Sequence, residues 1–426
     1  MRIALPLFAA VLFAVETAAA NAAPEVQRSS VTSDEAQVAE FSASPSVSAD
    51  GRFVAFQSPG ALAPGGSGIS IFVRDRQAGT TSLVSGEGTR AAISADGRYV
   101  AFISSAALVG DDSNGLYDVY LRDLLLGTTT RINVNSKEQQ ALGGNSIGRI
   151  SVSADGRFVA FASDATNLVP RDTNTVRDVF VRDQQLGTTR RVSVSSSEAQ
   201  ASGPAGPAST PDSFDALISH DGRFVTFVSG ARNLVRRDTN GEQDIFVRDR
   251  LKGATRRVSV NSAEKQSNSS SMGPAISAGG RFVAFMSTAT NLTRGDTNEA
   301  FDTFVRDRRV GITRRVSIGI NDLPPSSPDI NEWTSISRDG RFVAFTTAAA
   351  LVADDTNGRQ DVYVRDRTAR TTTRVSIRST GEQVLVPSYF PSLSADGLFV
   401  AYQTTGSLVP DDTNNMFDVF VYGPIG

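Results

Sequence analysis

The chain has 426 residues, no cysteine, one histidine and a formal net charge of −3 at neutral pH. Without cysteine it has no disulfides, thiol nucleophiles or thiolate metal sites, and a single histidine excludes any site that needs two imidazoles. The slightly acidic balance argues against nucleic acid as the main partner.

Residues 1–22 have the pattern of a signal peptide. Arg2 precedes an apolar run from Ile3 to Val15, and Ala20-Asn21-Ala22 fits the small-residue cleavage pattern. The run is too short for a bilayer, which needs about 20 residues. A buried helix of the folded domain is the alternative, but the β pattern begins only after Pro24. We therefore predict export to the periplasm or the cell exterior, with residues 23–426 forming one folded domain.

The rest of the chain is built from repeats. A Ser-Ala-Asp-Gly-Arg turn followed by Phe-Val-Ala-Phe occurs seven times, at intervals of 46 to 66 residues. A second element, typified by Phe180-Val181-Arg182-Asp183, follows each turn, and a third, typified by Thr189–Val194, follows a Gly-Thr-Thr turn in most copies. Each unit therefore predicts four short strands, separated by Gly, Asp and Asn. The aspartate of the first turn falls at Asp50, Asp96, Asp155, Asp221, Gly279 (a substitution), Asp339 and Asp396.

Polarity rises from the second strand of each unit to the fourth. A strand that is apolar on both faces, such as Phe158–Phe161, must be covered on both faces. An alternating strand that carries arginine suits an exposed edge. A four-stranded antiparallel sheet graded from inner to outer edge and repeated seven times predicts an all-β fold, a seven-bladed β-propeller. A linear β-solenoid is the alternative, but its coils are shorter and these units contain hairpin turns.

The two ends of the chain predict ring closure. The last copy stops at Phe420-Val421-Tyr422-Gly423 and has no fourth strand. Residues 26–31 resemble the fourth strand of the third copy, and similar residues follow both segments. We predict that residues 26–31 pair beside Val419–Val421 and complete the seventh blade, because pairing removes free sheet edges.

The repeated unit resembles the TolB-type, WD40-like (PD40) propeller repeat. That family's pattern is a Ser-Pro-Asp-Gly turn, an Ile-Ala-Phe strand and an Ile-Tyr-Val-x-Asp strand, and the likeness covers nearly all of residues 26–422. TolB itself has an α/β domain before a six-bladed propeller and works in the periplasmic Tol–Pal system. This chain has seven copies and no room for the first domain, so the resemblance implies only the propeller.

Six copies carry Asp-Thr/Ser-Asn-x-x-x-Asp before their third strand. Oxygen side chains at positions 1, 3 and 7 suit Ca²⁺, which takes six to eight oxygen ligands. The alternative, which we place first, is an Asx-turn that caps the strand, since Asp and Asn bond their own nearby backbone. The candidate metal ligands are Asp112, Asn114, Asp118, Asp172, Asn174, Asp178, Asp238, Asn240, Asp244, Asp296, Asn298, Asp302, Asp355, Asn357, Asp361, Asp412, Asn414 and Asp418.

The loops between the units vary most and are expected on one face of the ring. They comprise Ser136–Gly148, Ser195–Asp215, Asn261–Gly273 and Ile320–Glu332. They either carry function, as loops on rigid scaffolds often do, or act as spacers. His220, which replaces Ala in one turn, is predicted to be a solvated variant. Trp333 is predicted to pack, with a contact at the channel mouth as the alternative.

These patterns predict an exported, non-catalytic binding or scaffold propeller that is monomeric and binds protein or an envelope component. No residue is predicted to be catalytic, and neither nucleic acid binding nor a membrane span is expected. The alternative is an enzyme acting on polysaccharide or peptide with channel carboxylates, which would need two of them about 5–10 Å apart. A purely structural surface repeat is the third possibility.

Overall fold

The fold is described by a computed structural model, which covers residues 24–66, 68–203, 210–319 and 333–425. These residues contain 28 strands, arranged in seven four-stranded antiparallel sheets. The predicted seven-bladed propeller is therefore confirmed. No helix in the described ranges has the length and apolar character needed to cross a bilayer.

Each blade runs from an innermost strand beside the channel to an outermost strand at the rim. Blade 1 has β2 (Ala43–Val47), β3 (Phe53–Ser58), β4 (Ser70–Asp75) and β5 (Thr80–Ser85). Blade 2 has β6 (Thr89–Ile93), β7 (Tyr99–Ser104), β8 (Asp118–Asp123) and β9 (Thr128–Arg131). Blade 3 has β10 (Ser151–Val152), β11 (Phe158–Ser163), β12 (Asp178–Asp183) and β13 (Thr188–Arg191). Blade 4 has β14 (Ser213–Ile218), β15 (Phe224–Ser229), β16 (Asp244–Asp249) and β17 (Ala254–Arg257).

The remaining three blades follow the same order. Blade 5 has β18 (Ser271–Ile276), β19 (Phe282–Ser287), β20 (Asp302–Asp307) and β21 (Ile312–Arg315). Blade 6 has β22 (Ser335–Ile336), β23 (Phe342–Thr347), β24 (Asp361–Asp366) and β25 (Thr371–Arg374). Blade 7 has β26 (Ser388–Leu393), β27 (Val400–Thr404), β28 (Asp418–Gly423) and β1 (Glu25–Arg28).

The N-terminal strand closes the ring, as predicted. β1 pairs antiparallel with β28, with Gln27 opposite Val421. The Ser29 N–H then donates to the Val419 carbonyl at 2.7 Å. The regular strand ends at Arg28 rather than at residue 31. Beyond it the Ser30 hydroxyl bonds the buried Asp418 carboxylate, so this side-chain contact continues the pairing where the backbone ladder stops.

The hydrophobic core lies between neighbouring blades. One cluster joins Val179 and Val181 of blade 3 to Phe227 and Phe246 of blade 4. Within blade 4 these two rings stack with their centroids 5.8 Å apart, and equivalent pairs recur in the other blades. Burying a large apolar side chain contributes about 1.5–3 kcal/mol, so the buried rings of these central strands stabilise the packing of neighbouring blades.

The repeated polar residues also have structural partners. The Arg157 guanidinium of the first turn in blade 3 binds the Asp183 carboxylate through two hydrogen bonds, at 2.9 and 2.8 Å. Blade 7 has Leu398 and Gly423 in these two places, so both partners are lost together. A second contact links blades, because Arg182 of β12 binds Glu138 of the preceding inter-blade connection. Equivalent inter-blade pairs are Arg74–Glu35, Arg248–Glu198 and Arg306–Glu264.

Candidate ligand site at the channel mouth

The predicted metal ligands lie in loops whose carboxylates are bound by arginine. In blade 3, Arg191 Nη1 lies 2.9 Å from Asp172 Oδ1 and 2.8 Å from Asp178 Oδ2. The Asn174 amide donates to the Asp178 carboxylate at 2.9 Å and to the Ala201 carbonyl at 3.0 Å. Both carboxylates are almost fully buried, with side-chain exposures of 4 % and 1 %. The guanidinium therefore supplies the positive charge that these oxygens need.

A fourth-strand arginine binds aspartates of this loop in the other five blades that carry it. Arg257 and Arg315 bridge the first and last aspartates as Arg191 does, whereas Arg131, Arg374 and Arg28 bind two consecutive aspartates at the start of the loop. The fourth-strand arginine and its acidic partners are Arg131 with Asp111 and Asp112, Arg257 with Asp238 and Asp244, Arg315 with Asp296 and Asp302, Arg374 with Asp354 and Asp355, and Arg28 with Asp411 and Asp412. In blade 1, which lacks the acidic loop, Leu83 stands in the arginine position and Ser70 in that of Asp178.

The arginine and the acids are thus present together or absent together. Across the described ranges, no three acidic or histidine side chains form a group that could hold a metal ion. These contacts favour the turn interpretation, and calcium binding by the loops stays a prediction.

Burial also affects the protonation of these loops. It raises the pKa of Asp238 to about 6, and the charge of Asp244 adds to the rise while Arg257 opposes it. The pKa values of Asp296, Asp361 and Asp418 are raised to about 6 for the same primary reason. By contrast, hydrogen bonds from Arg98 lower the pKa of Asp123 to about 2 on the opposite face.

One position of the repeat carries six residue types in the seven blades, and it lies where each innermost strand begins. In blade 1, Ser46 of the innermost strand pairs with Ala55 of the second strand, and an equivalent pair occurs in each other blade. The position in question lies two residues before Ser46 or its equivalent. We call these seven residues the channel-mouth ring: Ser44, Arg90, Arg149, Asp215, Gly273, Trp333 and Phe390. Five of the seven line an open cavity of about 660 Å³, together with parts of the innermost strands.

The backbone of the ring is strained. Ser44, Arg90, Asp215 and Phe390 have φ values of 55°, 56°, 52° and 55°. This left-handed conformation costs an ordinary residue roughly 1–2 kcal/mol, and Gly273 takes it at 58° without that cost. All five lie at register shifts of the innermost strand. Bulges re-aim side chains, and such strain concentrates at functional sites.

Arg149 extends across the mouth to aromatic residues of distant blades. Its guanidinium lies 4.3 Å above the Trp333 ring, and its Nη1 donates to the Pro274 carbonyl at 3.1 Å. Trp333 meets Phe390 edge to face at a centroid distance of 5.3 Å. The residue thus spans from blade 3 to blades 5 and 6, and its planar cation is held against a π-surface.

The cavity wall is cationic. Its charged residues are Arg90 and Arg149, and among the described residues neither forms a salt bridge. Burial lowers the pKa of Arg149 to about 10, which the charge of Asp215 opposes, so the guanidinium stays protonated at neutral pH. Burial raises the pKa of Asp215, while the charge of Arg149 and its backbone N–H lower it.

Four serine hydroxyls add hydrogen-bond donors to this wall. Each hydroxyl oxygen accepts a backbone N–H from the next blade at 2.9–3.1 Å, which leaves its hydrogen without an acceptor among the described residues. These serines are Ser46, Ser151, Ser335 and Ser392. The side chains of the mouth therefore offer mainly donors.

The other end of the channel is narrow. A cavity of about 90 Å³ there is lined by alanines of the first turns and by His220. Backbone hydrogen bonds join turns of adjacent blades, such as the Ala49 N–H to the Ala95 carbonyl at 3.0 Å. His220 is half-buried, and burial followed by the charge of Arg338 lowers its pKa. It lines this cavity, and the interpretation of His220 as a solvated variant stays a prediction.

The channel-mouth ring was not predicted, because the repeat is defined by what its copies share. The signal was the opposite one: an alignment of the seven units varies at the start of the innermost strand, where the ring residues lie. For Trp333 the structure places the ring at the mouth, which was the alternative to simple packing. The variable loops Ser136–Gly148 and Asn261–Gly273 lead directly into the mouth. Loop Ile320–Glu332 and residues 204–209 lie outside the described residues.

Comparison with protein-family models gives no match, and neither does comparison with curated protein sequences. The TolB-type repeat therefore remains a resemblance. Many solved structures share the fold. An oligogalacturonate lyase from Vibrio parahaemolyticus is 12 % identical with a TM-score of 0.56, over 93 % of each chain.

Two further solved structures are similar to this chain. The propeller domain of the Trilobed protease from Pyrococcus furiosus is 11 % identical with a TM-score of 0.55, over 90 % of this chain and 95 % of that one. TolB from Acinetobacter baumannii is 17 % identical with a TM-score of 0.41, over 73 % of this chain and 60 % of that one. The Trilobed protease domain is described as having an open velcro topology, whereas β1 closes the ring in this protein. At these identities the first two likenesses show the fold alone.

Proposed function

We propose that this protein is an exported, non-catalytic binding propeller whose ligand enters the channel mouth. The proposal rests on the channel-mouth ring, where two arginines and two aromatic residues from four different blades line one cavity, while the turns of the repeat are nearly constant. Local departures from a regular pattern that also carry strain are expected at functional sites.

The chemistry of the mouth supports ligand binding. Two arginines, two aromatic rings and several serines converge on one cavity of about 660 Å³, within the roughly 300–1,000 Å³ typical of ligand sites. Arg149 is held by Trp333 and Pro274 without a ligand, so the site is preorganised and loses less entropy on binding. Export rests on the sequence of residues 1–22.

Catalysis is the second candidate, favoured by Asp215. Its buried carboxyl has a raised pKa and lies near Arg149, as a proton-transferring group would. The oligogalacturonate lyase neighbour is an enzyme that, by its name, acts on an acidic sugar. In the ring as described, however, Asp215 is the one carboxylate, so the pair needed for two-carboxylate hydrolysis is not assembled there. Binding therefore accounts for more of the site.

The proposal is tested by capture from a cell-envelope extract. Wild type, Arg149→Ala, Trp333→Ala and the matched control Arg190→Ala are immobilised, since Arg190 is an exposed arginine on the outermost strand of the same blade. We expect wild type and the control to retain an envelope component that both channel variants lose. Equal retention by all four proteins would contradict the proposal. Conversion of the retained component into a smaller product would favour the enzyme.

A further inference from the structure

We infer that the ligand of the channel mouth is an acidic oligosaccharide, a chain of pyranose rings that bear carboxylates. This inference rests on the proposed function, since it names the class of ligand for the same site. Three properties of the cavity wall support it: the charge, the aromatic surface and the hydrogen-bonding character.

Charge selects an anion. Arg90 and Arg149 line the cavity without salt-bridge partners among the described residues, whereas the fourth-strand arginines of six blades are paired. Asp215 does not line the cavity. A guanidinium presents paired donors that match a carboxylate, and the half-buried site strengthens that interaction relative to bulk water. The mouth therefore favours a ligand with carboxylates.

The aromatic residues select a ligand with flat apolar faces. Trp333 and Phe390 are both half-exposed to the cavity and meet edge to face. A pyranose ring has polar edges but presents its C–H bonds on two faces, which pack on aromatic rings. Large aromatic surfaces supply such contact area with little loss of side-chain entropy. Arg149 lies over the Trp333 ring, so a carboxylate bound by Arg149 places its pyranose ring beside the exposed surface of Trp333 and Phe390.

The hydrogen-bonding groups of the channel mouth favour a saccharide over a peptide. The hydroxyls of Ser46, Ser151, Ser335 and Ser392 have hydrogens to donate, and the guanidinium groups only donate. Sugar hydroxyl, ring and carboxylate oxygens accept such bonds at many positions. A peptide brings a backbone N–H at nearly every residue, and each one needs an acceptor when buried. The donor-rich side chains of the mouth leave those groups poorly paired.

Trp333 provides the assay, because it is the only tryptophan in the chain. Its fluorescence is titrated with trigalacturonate, with the trimethyl ester of the same trisaccharide, and with a short neutral peptide carrying a free C-terminal carboxylate. We expect a saturable change with trigalacturonate and affinity lower by about tenfold or more for the ester, because charge-assisted hydrogen bonds are lost. The peptide should bind more weakly than the acid.

Variants show that the signal comes from the proposed groups. Arg149→Gln and Arg90→Ser should each weaken trigalacturonate binding by about tenfold, while the matched control Arg190→Gln should leave it unchanged. Circular dichroism checks the fold of each variant. Arg90 is exposed, so Arg90→Ser provides the test even if Arg149→Gln does not fold.

Equal affinity for the acid and the ester, or preference for the peptide, would overturn the inference. Its failure is distinguishable from failure of the proposed function. If trigalacturonate does not bind but Arg149→Ala still loses the captured envelope component, only the ligand class is wrong. If neither effect occurs, both statements fail.

Discussion

Arg191 gives the sharpest test of how the acidic loops are stabilised. Its Nη1 lies within 3 Å of both Asp172 and Asp178, which are nearly inaccessible to solvent. Arg191→Leu would copy the Leu83 of blade 1 but keep the two carboxylates. Removing one partner of a buried ion pair costs about 3–5 kcal/mol, since the remaining charge is buried without compensation. We expect the free energy of unfolding to fall by about that amount.

The triple variant Arg191→Leu, Asp172→Ala, Asp178→Ser should recover most of this loss. It removes every charge of the cluster and restores the combination that blade 1 uses at Leu83 and Ser70. The hydrogen bonds of Asp178 to Ser193 and Asn174 are lost, at about 1 kcal/mol each. The triple variant should therefore lie about 2 kcal/mol below wild type and above the single variant.

Urea unfolding followed by far-ultraviolet circular dichroism measures these differences, provided that the slopes of the transitions agree. Arg190→Leu is the matched control, because its side chain is exposed on the same strand, and it should change the stability by no more than about 0.5 kcal/mol. A loss below about 1 kcal/mol for Arg191→Leu would refute the reasoning. So would a triple variant less stable than the single one.

Three further predictions concern the ring and its loops. Starting the chain at Thr32 removes β1 and the Arg28 pair with Asp411, so calorimetry should show a substantially lower melting temperature; an unchanged one would exclude closure by β1. Burial raises the pKa of four aspartates to about 6 (Asp238, Asp296, Asp361 and Asp418), above the unfolded value of about 3.9. The folded state then binds more protons, so stability should rise as pH falls from about 7 to 5, and Asp238→Asn should flatten the profile; a fall in stability over that range would contradict it. If the loops bind calcium, excess calcium should raise the melting temperature of wild type but shift Asp172→Ala less, and a chelator should reverse the rise. No shift, with no metal found by elemental analysis, would leave the Asx-turn interpretation.

The fold could be predicted from the sequence because each blade repeats the same pattern of strands, turns and polarity. The graded polarity from Phe158–Phe161 to Thr189–Val194 indicated inner and outer strands, and the missing last strand indicated closure. The charge partners were not predictable in the same way. Arg191 lies 13 residues beyond Asp178 and meets it only because β12 and β13 pair. The residues of the turn alone could not show that a guanidinium, rather than a metal ion, neutralises these carboxylates.

The candidate site was harder to predict than the fold. Arg149 and Trp333 are 184 positions apart and come together only when the ring closes around the channel. Neither belongs to a motif, and the strained φ values at Arg90 and Phe390 leave no mark in composition. What the sequence did contain was variability over the first residues of each innermost strand, next to nearly constant turns, which becomes informative once all seven innermost strands share one axis.

Binding at the channel mouth requires that the mouth be open to solvent and cationic. Collisional quenching of Trp333 tests both properties without any ligand, because the anion iodide and the cation caesium probe the same ring. With Arg90 and Arg149 at the mouth, iodide should quench more strongly than caesium. Arg90→Ser and Arg149→Gln should reduce that preference, the difference should shrink at high ionic strength, and Arg190→Gln should not alter it. Equal quenching by the two ions, or stronger quenching by caesium, would contradict a cationic mouth and the function proposed for it.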